Sequence, residues 1–452
     1  MGSLLPLEGT LSNPPNKLIK PWALPPQKTY LFKNVNVVDT LTGTILSDQR
    51  VKISKGLIDF VSKTSIIGPH EDVINVDCEG KYLCPGLIDC HVHLAAVTGG
   101  NDLTSSALGP DPAVSHYRQP TLCQQMLGRG FTTVRDTGGA TLALKEAIED
   151  DVFPGPRLFI AHRALSQTGG HGDFRGPHEP ENATSPGMIS QVVDGIPDCI
   201  RTTREQLRQG ADVIKITASG GVASPTDRLD HVQFTGEEIR AIVEVAENHG
   251  KFVTAHAYTP KAIRHAIDNG AKGIEHGNFL DKETAAQMAA KKVWLTPTLV
   301  AYDTMTSDKY TGFLPPENQE KNQQVMSCGL ESLRLAHEAG VLICHGSDLL
   351  GPLHEEQNRE FGLRAWVLDS KVVLQGATVN AAKMLGQEKL LGQVKDGFAA
   401  DLVFLNQNPL QDVAILAQPE RYMLAVVKNG RVYMSRWSRL PEDTRPLRTW
   451  LA

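Results

Sequence analysis

His91 and His93 stand two residues apart at the end of an apolar run, 86–94. On a strand, residues i and i+2 point to the same side. Two imidazoles placed this way can bind one metal ion, although His-x-His also arises by chance. Four more residues close other apolar runs. They are Lys215 in Asp212-Val213-Ile214-Lys215-Ile216, His256 in Val253-Thr254-Ala255-His256, His276 in Gly273-Ile274-Glu275-His276-Gly277 and Asp348 in Cys344-His345-Gly346-Ser347-Asp348. Each has an ordinary reading alone. A histidine can be a hydrogen-bonded core residue, Asp348 a helix N-cap, and Lys215 a side chain reaching for water. Six such residues at the ends of apolar runs are better read together, as a metal site.

Lys215 needs its own chemistry. An ammonium group among metal cations is repelled, and desolvation and nearby positive charge lower a lysine pKa. The neutral amine can add CO2 to give a carbamate, an anion with two oxygens. That group can hold two divalent ions, with His91, His93 and Asp348 on one and His256 and His276 on the other. The nitrogen-rich donor set favours Zn2+, and other first-row ions also accept it. Two ions sharing a bridging hydroxide lower its pKa toward neutrality, so the expected chemistry is hydrolysis.

Strands must bring these residues to one place. Eight apolar runs end in polar or small residues: 86–94, 132–137, 157–166, 213–221, 252–258, 273–279, 294–300 and 342–348. Amphipathic helical patterns fall between many of them, as at 235–248, 260–269, 282–291 and 318–339. This alternation predicts an α/β fold with a (β/α)8 TIM barrel over residues 85–400. Chemistry on such a barrel sits at the C-terminal strand ends, where all six residues fall. Short β-rich runs at 29–32, 35–38, 50–53, 58–61 and 73–77 occupy residues 28–84. Others follow at 401–405, 423–428 and 431–434, the last two joined by Asn429-Gly430, a strong hairpin signal. Residues 28–84 and 401–452 are therefore expected to form one small β-sandwich domain around the inserted barrel. Residues 1–27, with Pro14-Pro15 and Pro25-Pro26, read as an arm without regular period. The segments 359–368 and 372–385 read as barrel covers, and 167–197 as a loop over the substrate.

The chain has 452 residues, too many for one core, which fits a large domain plus a smaller one. A net charge of −6 and a pI near 6.2 argue against nucleic acid as a partner. No run has the length of a signal-peptide core or a membrane span. The 7 cysteines are odd in number and include no Cys-x-x-Cys, as expected for reduced thiols in the cytoplasm.

The ordered set His91-Val92-His93, Lys215, His256, His276 and Asp348 resembles the amidohydrolase superfamily, in its binuclear branch with a carboxylated lysine. The resemblance covers nearly the whole chain. Ala164-Leu165-Ser166-Gln167-Thr168-Gly169-Gly170-His171-Gly172-Asp173 and Ile216-Thr217-Ala218-Ser219-Gly220-Gly221-Val222 are similar to the prolidase and imidazolonepropionase-like group and to fungal ochratoxin-hydrolysing amidohydrolases. After His256 the chain reads Ala257-Tyr258-Thr259, where some relatives carry a second histidine; the departure bears on substrate orientation and leaves the metal ligands in place.

The resemblance implies cleavage of an amide bond in a small molecule: an N-acyl amino acid, a Xaa-Pro dipeptide or an ochratoxin-like aryl amide. Asp348 would take a proton from the bridging hydroxide's water and pass it to the leaving nitrogen. His171, after two glycines in the loop above the third strand, is a candidate to bond the substrate carbonyl or carboxylate. Tyr258 is a candidate for the carbonyl oxygen, and Ser219 and Gly220 for close backbone approach to the substrate. His162 and His345 are expected to be structural. Relatives of this type are often homo-oligomers. A lactonase, a deaminase or a cyclic-imide hydrolase could use the same metals. A catalytically dead scaffold would be expected to have lost ligands.

Overall fold

The computed structural model describes residues 20–64, 72–97, 99–108, 112–180 and 189–444. Most of the expected N-terminal arm and the centre of the 167–197 loop lie outside the described residues.

Five strands open the chain: β1 (Thr29–Asp39), β2 (Thr44–Ser54), β3 (Leu57–Ser62), β4 (Val73–Asp77) and β5 (Tyr82–Pro85). The two runs expected at 29–32 and 35–38 form one strand, because Asn34 takes a left-handed φ of 52° and the register shifts there. Along the middle of the chain come β6 (Leu87–Val92), β7 (Phe131–Asp136), β8 (Arg157–Ile160), β9 (Ala164–Ser166), β10 (Ser190–Val192), β11 (Ile214–Thr217), β12 (Val253–Ala257), β13 (Gly273–His276) and β14 (Trp294–Thr296). The end of the chain adds β15 (Leu402–Leu405), β16 (Met423–Lys428) and β17 (Arg431–Ser435).

Both ends of the chain share one eight-stranded sheet. Its order is β17-β16-β15-β5-β1-β2-β3, with β4 also on β1, and the antiparallel β5–β15 pair joins the two halves. Asn429 and Gly430, at φ 47° and 74°, make the tight hairpin between β16 and β17, as two-residue turns require positive φ at both positions. An apolar cluster including Phe32, Ile53, Ile58, Phe404 and Val427 belongs to this sheet. The chain passes from β5 to β6 through Gly86 alone.

The middle strands pair in parallel. One set is β6-β7-β8, and the other is β10-β9-β11-β12-β13-β14. The expected third strand is divided into β8 and β9 where His162 adopts φ 64°. The expected strand at 342–348 makes only an isolated parallel bridge, Leu295 to Ile343. It is still fixed on both sides: the Cys344 amide donates to the Leu295 carbonyl, and the Cys90 amide to that of His345, each at 2.8 Å. Asp348 at φ 54° ends the extended run.

Helices fall where the periodicity places them. The helix Gly236–Asn248 begins at a capping box in which Thr235 and Glu238 satisfy each other's backbone amides. The helices Pro260–Asp268 and Lys282–Ala290 start on the side-chain caps Thr259 and Asp281. The longest helix is Pro316–Glu338. The expected cover at 372–385 is two helices, Ser370–Gly376 and Val379–Met384, broken at Thr378. No described helix is long and apolar enough to cross a membrane.

Candidate functional site

All six candidate ligands line one cavity, five of them from middle strands or the residue just after one and Asp348 from the extended run 342–348. His91 is the last but one residue of β6 and His93 lies one residue past the strand. Their Nε2 atoms stand 3.3 and 3.1 Å from Asp348 Oδ1. Among the described residues this trio is the one group of acidic, histidine or cysteine side chains whose ligand atoms all lie within 4.8 Å of one another. His276 joins from the side, its Nδ1 3.8 Å from Asp348 Oδ2 and its ring 5.0 Å from that of His91. The His256 ring lies 4.6 Å from that of His276. Lys215, buried on β11, completes the cavity floor.

Hydrogen bonds at the far side of the rings decide which nitrogens face inward. His91 Nδ1 donates to Glu275 Oε2 at 2.8 Å, and His93 Nδ1 donates to the Gly138 carbonyl at 2.9 Å. Both Nε2 atoms therefore offer lone pairs toward a carboxylate. Such a convergence of acceptors suits a cation, and an imidazole fixed by a carboxylate behind it is a common feature of metal ligation. Burial opposes ionisation of Asp348, yet His91 and His93 hold its carboxyl well below the usual range. Burial likewise opposes a charged His93, but Asp348 draws its pKa upward. Burial drives His256 and His276 well below the ordinary histidine value, which leaves both rings neutral. Burial also brings Lys215 down to about 8, against the attraction of Glu275 and Asp348.

The supports behind the floor were not singled out by sequence reasoning. Glu275 is fully buried; it accepts from Arg135 Nη2 at 2.6 Å and from the Thr254 hydroxyl as well as from His91. Asp89 accepts from the amides of His91 and Ser347 and from the Ser347 hydroxyl at 2.6 Å, which locks the end of β6 to the loop carrying Asp348. Thr298 and Tyr302 place hydroxyls 2.8 and 3.0 Å from His276 Nδ1. A charged residue inside an apolar strand was the available signal, in Gly273-Ile274-Glu275-His276 and in Phe131-Thr132-Thr133-Val134-Arg135-Asp136.

His171 and Tyr258 also line the cavity. His171 stacks on His256 with centroids 4.2 Å apart, and its Nδ1 meets Ser224 Oγ at 2.8 Å. Gly221 makes room for it, since a Cβ there would lie 2.1 Å from the imidazole. The Tyr258 hydroxyl meets that of Tyr302 at 2.8 Å. Ser219 and Gly220 do not line the cavity; Val222 and Ala223 do. Ser219 Oγ instead accepts the Tyr258 amide, and the Gly220 carbonyl faces His256 Nε2 at 3.2 Å. Ser219 bridges to Val232, and Ser219 and Gly220 back Tyr258 and His256. His162 and His345 lie outside the cavity.

A long helix holds the wall. Lys321 Nζ donates to the carbonyls of Gly221, Ser224 and Asp227 at 3.2, 3.0 and 2.7 Å. Asn318 donates to the carbonyl of Val222. Apolar side chains of Phe174, Ile189, Val222, Met305 and Leu350 line the rest.

Residues 82–433 match the model of the amidohydrolase family. The chain belongs to this family. Ochratoxinase of Aspergillus niger is 32% identical over 407 residues, covering 86% of this chain and 84% of that protein. Imidazolonepropionase of Colwellia psychrerythraea is 24% identical, over 84% and 91%. Among solved structures, a prolidase complexed with N-methylphosphonate-L-proline superposes with a TM-score of 0.86 at 39% identity, over 90% of this chain and all of the other. This amidohydrolase is thus a member of the hydrolases of C–N bonds, and its α/β fold superposes on solved structures of the superfamily.

Proposed function

We propose that this amidohydrolase is a binuclear metal-dependent enzyme that cleaves the amide bond of a small N-acyl amino acid, a Xaa-Pro dipeptide or an ochratoxin-like aryl amide. The observation that carries the reading is the convergence of six ligand-type side chains in one cavity with an apolar wall. His91, His93 and Asp348 would hold one ion and His256 and His276 the other, with Lys215 between them as its carbamate. When bound, the ions supply Lewis acidity and an activated water; Zn2+ fits the donor set best.

The protein's own groups do the remaining work. Asp348 is held as a carboxylate and offers an oxygen to receive the proton of the attacking water and return it to the leaving nitrogen. Lys215, brought down to about 8, is neutral often enough near pH 8 to take up CO2. Tyr258, tied to Tyr302, presents a hydroxyl to the substrate carbonyl. His171, held by Ser224, faces the same space. Phe174, Ile189, Met305 and Leu350 exclude water and accept an apolar substituent. The reading takes residues 85–400 as a closed (β/α)8 barrel and residues 28–84 with 401–452 as its β domain, in line with the backbone bonds that tie 342–348 to β14 and β6. It places the protein in the cytoplasm, in keeping with 7 cysteines that form no disulfide.

The test is a panel of Xaa-Pro dipeptides, N-acyl aromatic amino acids including ochratoxin A, and a lactone, offered to metal-loaded protein. Release of an amino acid from one amide class is expected. Turnover of the lactone alone would reject the amide reading and keep the metal site. Silence toward every member, with two metals bound, would move the search to cyclic imides and deamination.

A further inference from the structure

A second cavity, of about 780 Å³, lies away from the candidate metal ligands. Its walls come from the loop after β6, the helix Pro112–Gly128, the turn Gly351–Glu356 and the chain just past β17. It shares no lining residue with the cavity described above.

Its charge is one-sided. Arg118, Arg129 and Arg436 line it, with Glu355 as the acidic residue. The Glu355 carboxylate is engaged elsewhere, by the Tyr310 hydroxyl at 2.6 Å and Lys309 at 2.9 Å. His354, which also lines the cavity, is pushed down to about 3 by burial and adds no charge at neutral pH.

Arg129 is half-buried and has no ion-pair partner among the described residues. Its Nε and Nη2 both donate to a neutral acceptor, Gln357 Oε1, at 3.1 and 3.0 Å. Nη1 donates to no described residue. Burial lowers the Arg129 pKa to about 10, against the attraction of Asp89 and Glu355, neither of which forms an ion pair with it. Arg436 is exposed; among the described residues its side chain hydrogen-bonds the Met423 carbonyl at 3.4 Å and the Met434 thioether at 3.2 Å. A guanidinium in a half-buried wall whose hydrogen bonds go to a neutral amide keeps donors that a bound oxyanion can use. The planar fork of arginine matches the paired oxygens of a carboxylate or phosphate.

We propose that this cavity is a second binding site, for a small oxyanion such as the phosphate or carboxylate end of a metabolite, held by the guanidinium groups of Arg129 and Arg436. The proposal is independent of the metal reading.

The experiment is calorimetric titration of the full metal-loaded chain with inorganic phosphate and, separately, with citrate. At least one of the two is expected to bind. Arg436→Ala and Arg129→Gln should each weaken that binding tenfold or more, while Asp348→Asn leaves it in place. The ion that binds tells whether the site prefers phosphate or carboxylate. If Arg129→Gln does not fold, the exposed Arg436→Ala decides. Absence of binding by either ion would overturn the proposal. So would equal affinity in the wild type and Arg436→Ala, or loss of binding in Asp348→Asn, which would put the anion on the metals.

Discussion

On the floor of the cavity, three of the candidate ligands have a partner from a neighbouring segment: Glu275 behind His91, the Gly138 carbonyl behind His93, Thr298 behind His276. On the wall, His171 hangs from a loop and leans on Ser224, whose own loop is held by Lys321 from the helix Pro316–Glu338. The floor is thus fixed by sheet register and buried charge, and the wall by one ammonium shared among three carbonyls. The difference teaches that ligand geometry can stay constant while the wall varies with a few helix-to-loop contacts, which is where substrate choice would be set.

Substitutions can separate the two. The largest effect is expected from Asp348→Asn, which removes the proposed proton carrier: kcat should fall by roughly 10²–10⁴-fold, with the melting temperature preserved. Turnover within tenfold of the wild type would remove Asp348 from that role. Glu275→Gln comes next. It weakens the hold on His91 and leaves buried Arg135 without its counter-charge, so metal affinity should drop about 10–100-fold, together with a loss of thermal stability. Unchanged metal content at limiting metal would mean that the floor does not depend on its supports.

Lys321→Met should act on the wall alone. We expect kcat/KM to fall about tenfold, which corresponds to roughly 1.4 kcal/mol, at unchanged metal stoichiometry. Loss of metal in this variant would erase the distinction between floor and wall. The smallest effect concerns His345, which lies between Phe361 and Phe131 at centroid distances of 4.4 and 5.5 Å, with neither ring nitrogen hydrogen-bonded among the described residues. Burial, reinforced by Arg364, holds its pKa well below the ordinary value. The unfolded chain therefore binds the proton first, and stability contributed by the neutral ring is lost as pH falls below about 6.5. His345→Phe should make that acid-side decline shallower in a pH series of thermal melts; an unaltered slope would contradict it.

The floor was legible in the sequence because a strand imposes a period of two and an apolar run advertises its own end. His91, His93, Lys215, His256, His276 and Asp348 all announced themselves this way. Glu275 and Arg135 were visible as charges inside apolar strands, but their pairing across the sheet was not. The division of 157–166 at His162 and the irregular ending at Asp348 rest on left-handed φ values that only a few histidines and aspartates adopt, so the residue type alone does not mark them. Lys321, Ser224 and Asp227 were hidden for a different reason: the contacts of Lys321 span 94–100 residues of chain, and nothing local marks either end. Ser219 and Gly220, expected to approach the substrate, do not line the cavity, whereas Val222 and Ala223 do.

The most direct measurement is amide hydrolysis before and after removal of bound metal, with the released amino acid as the readout. The account predicts activity that disappears on chelation and returns with Zn2+ or a related divalent ion. Hydrolysis that continues at full rate in metal-stripped protein would contradict it.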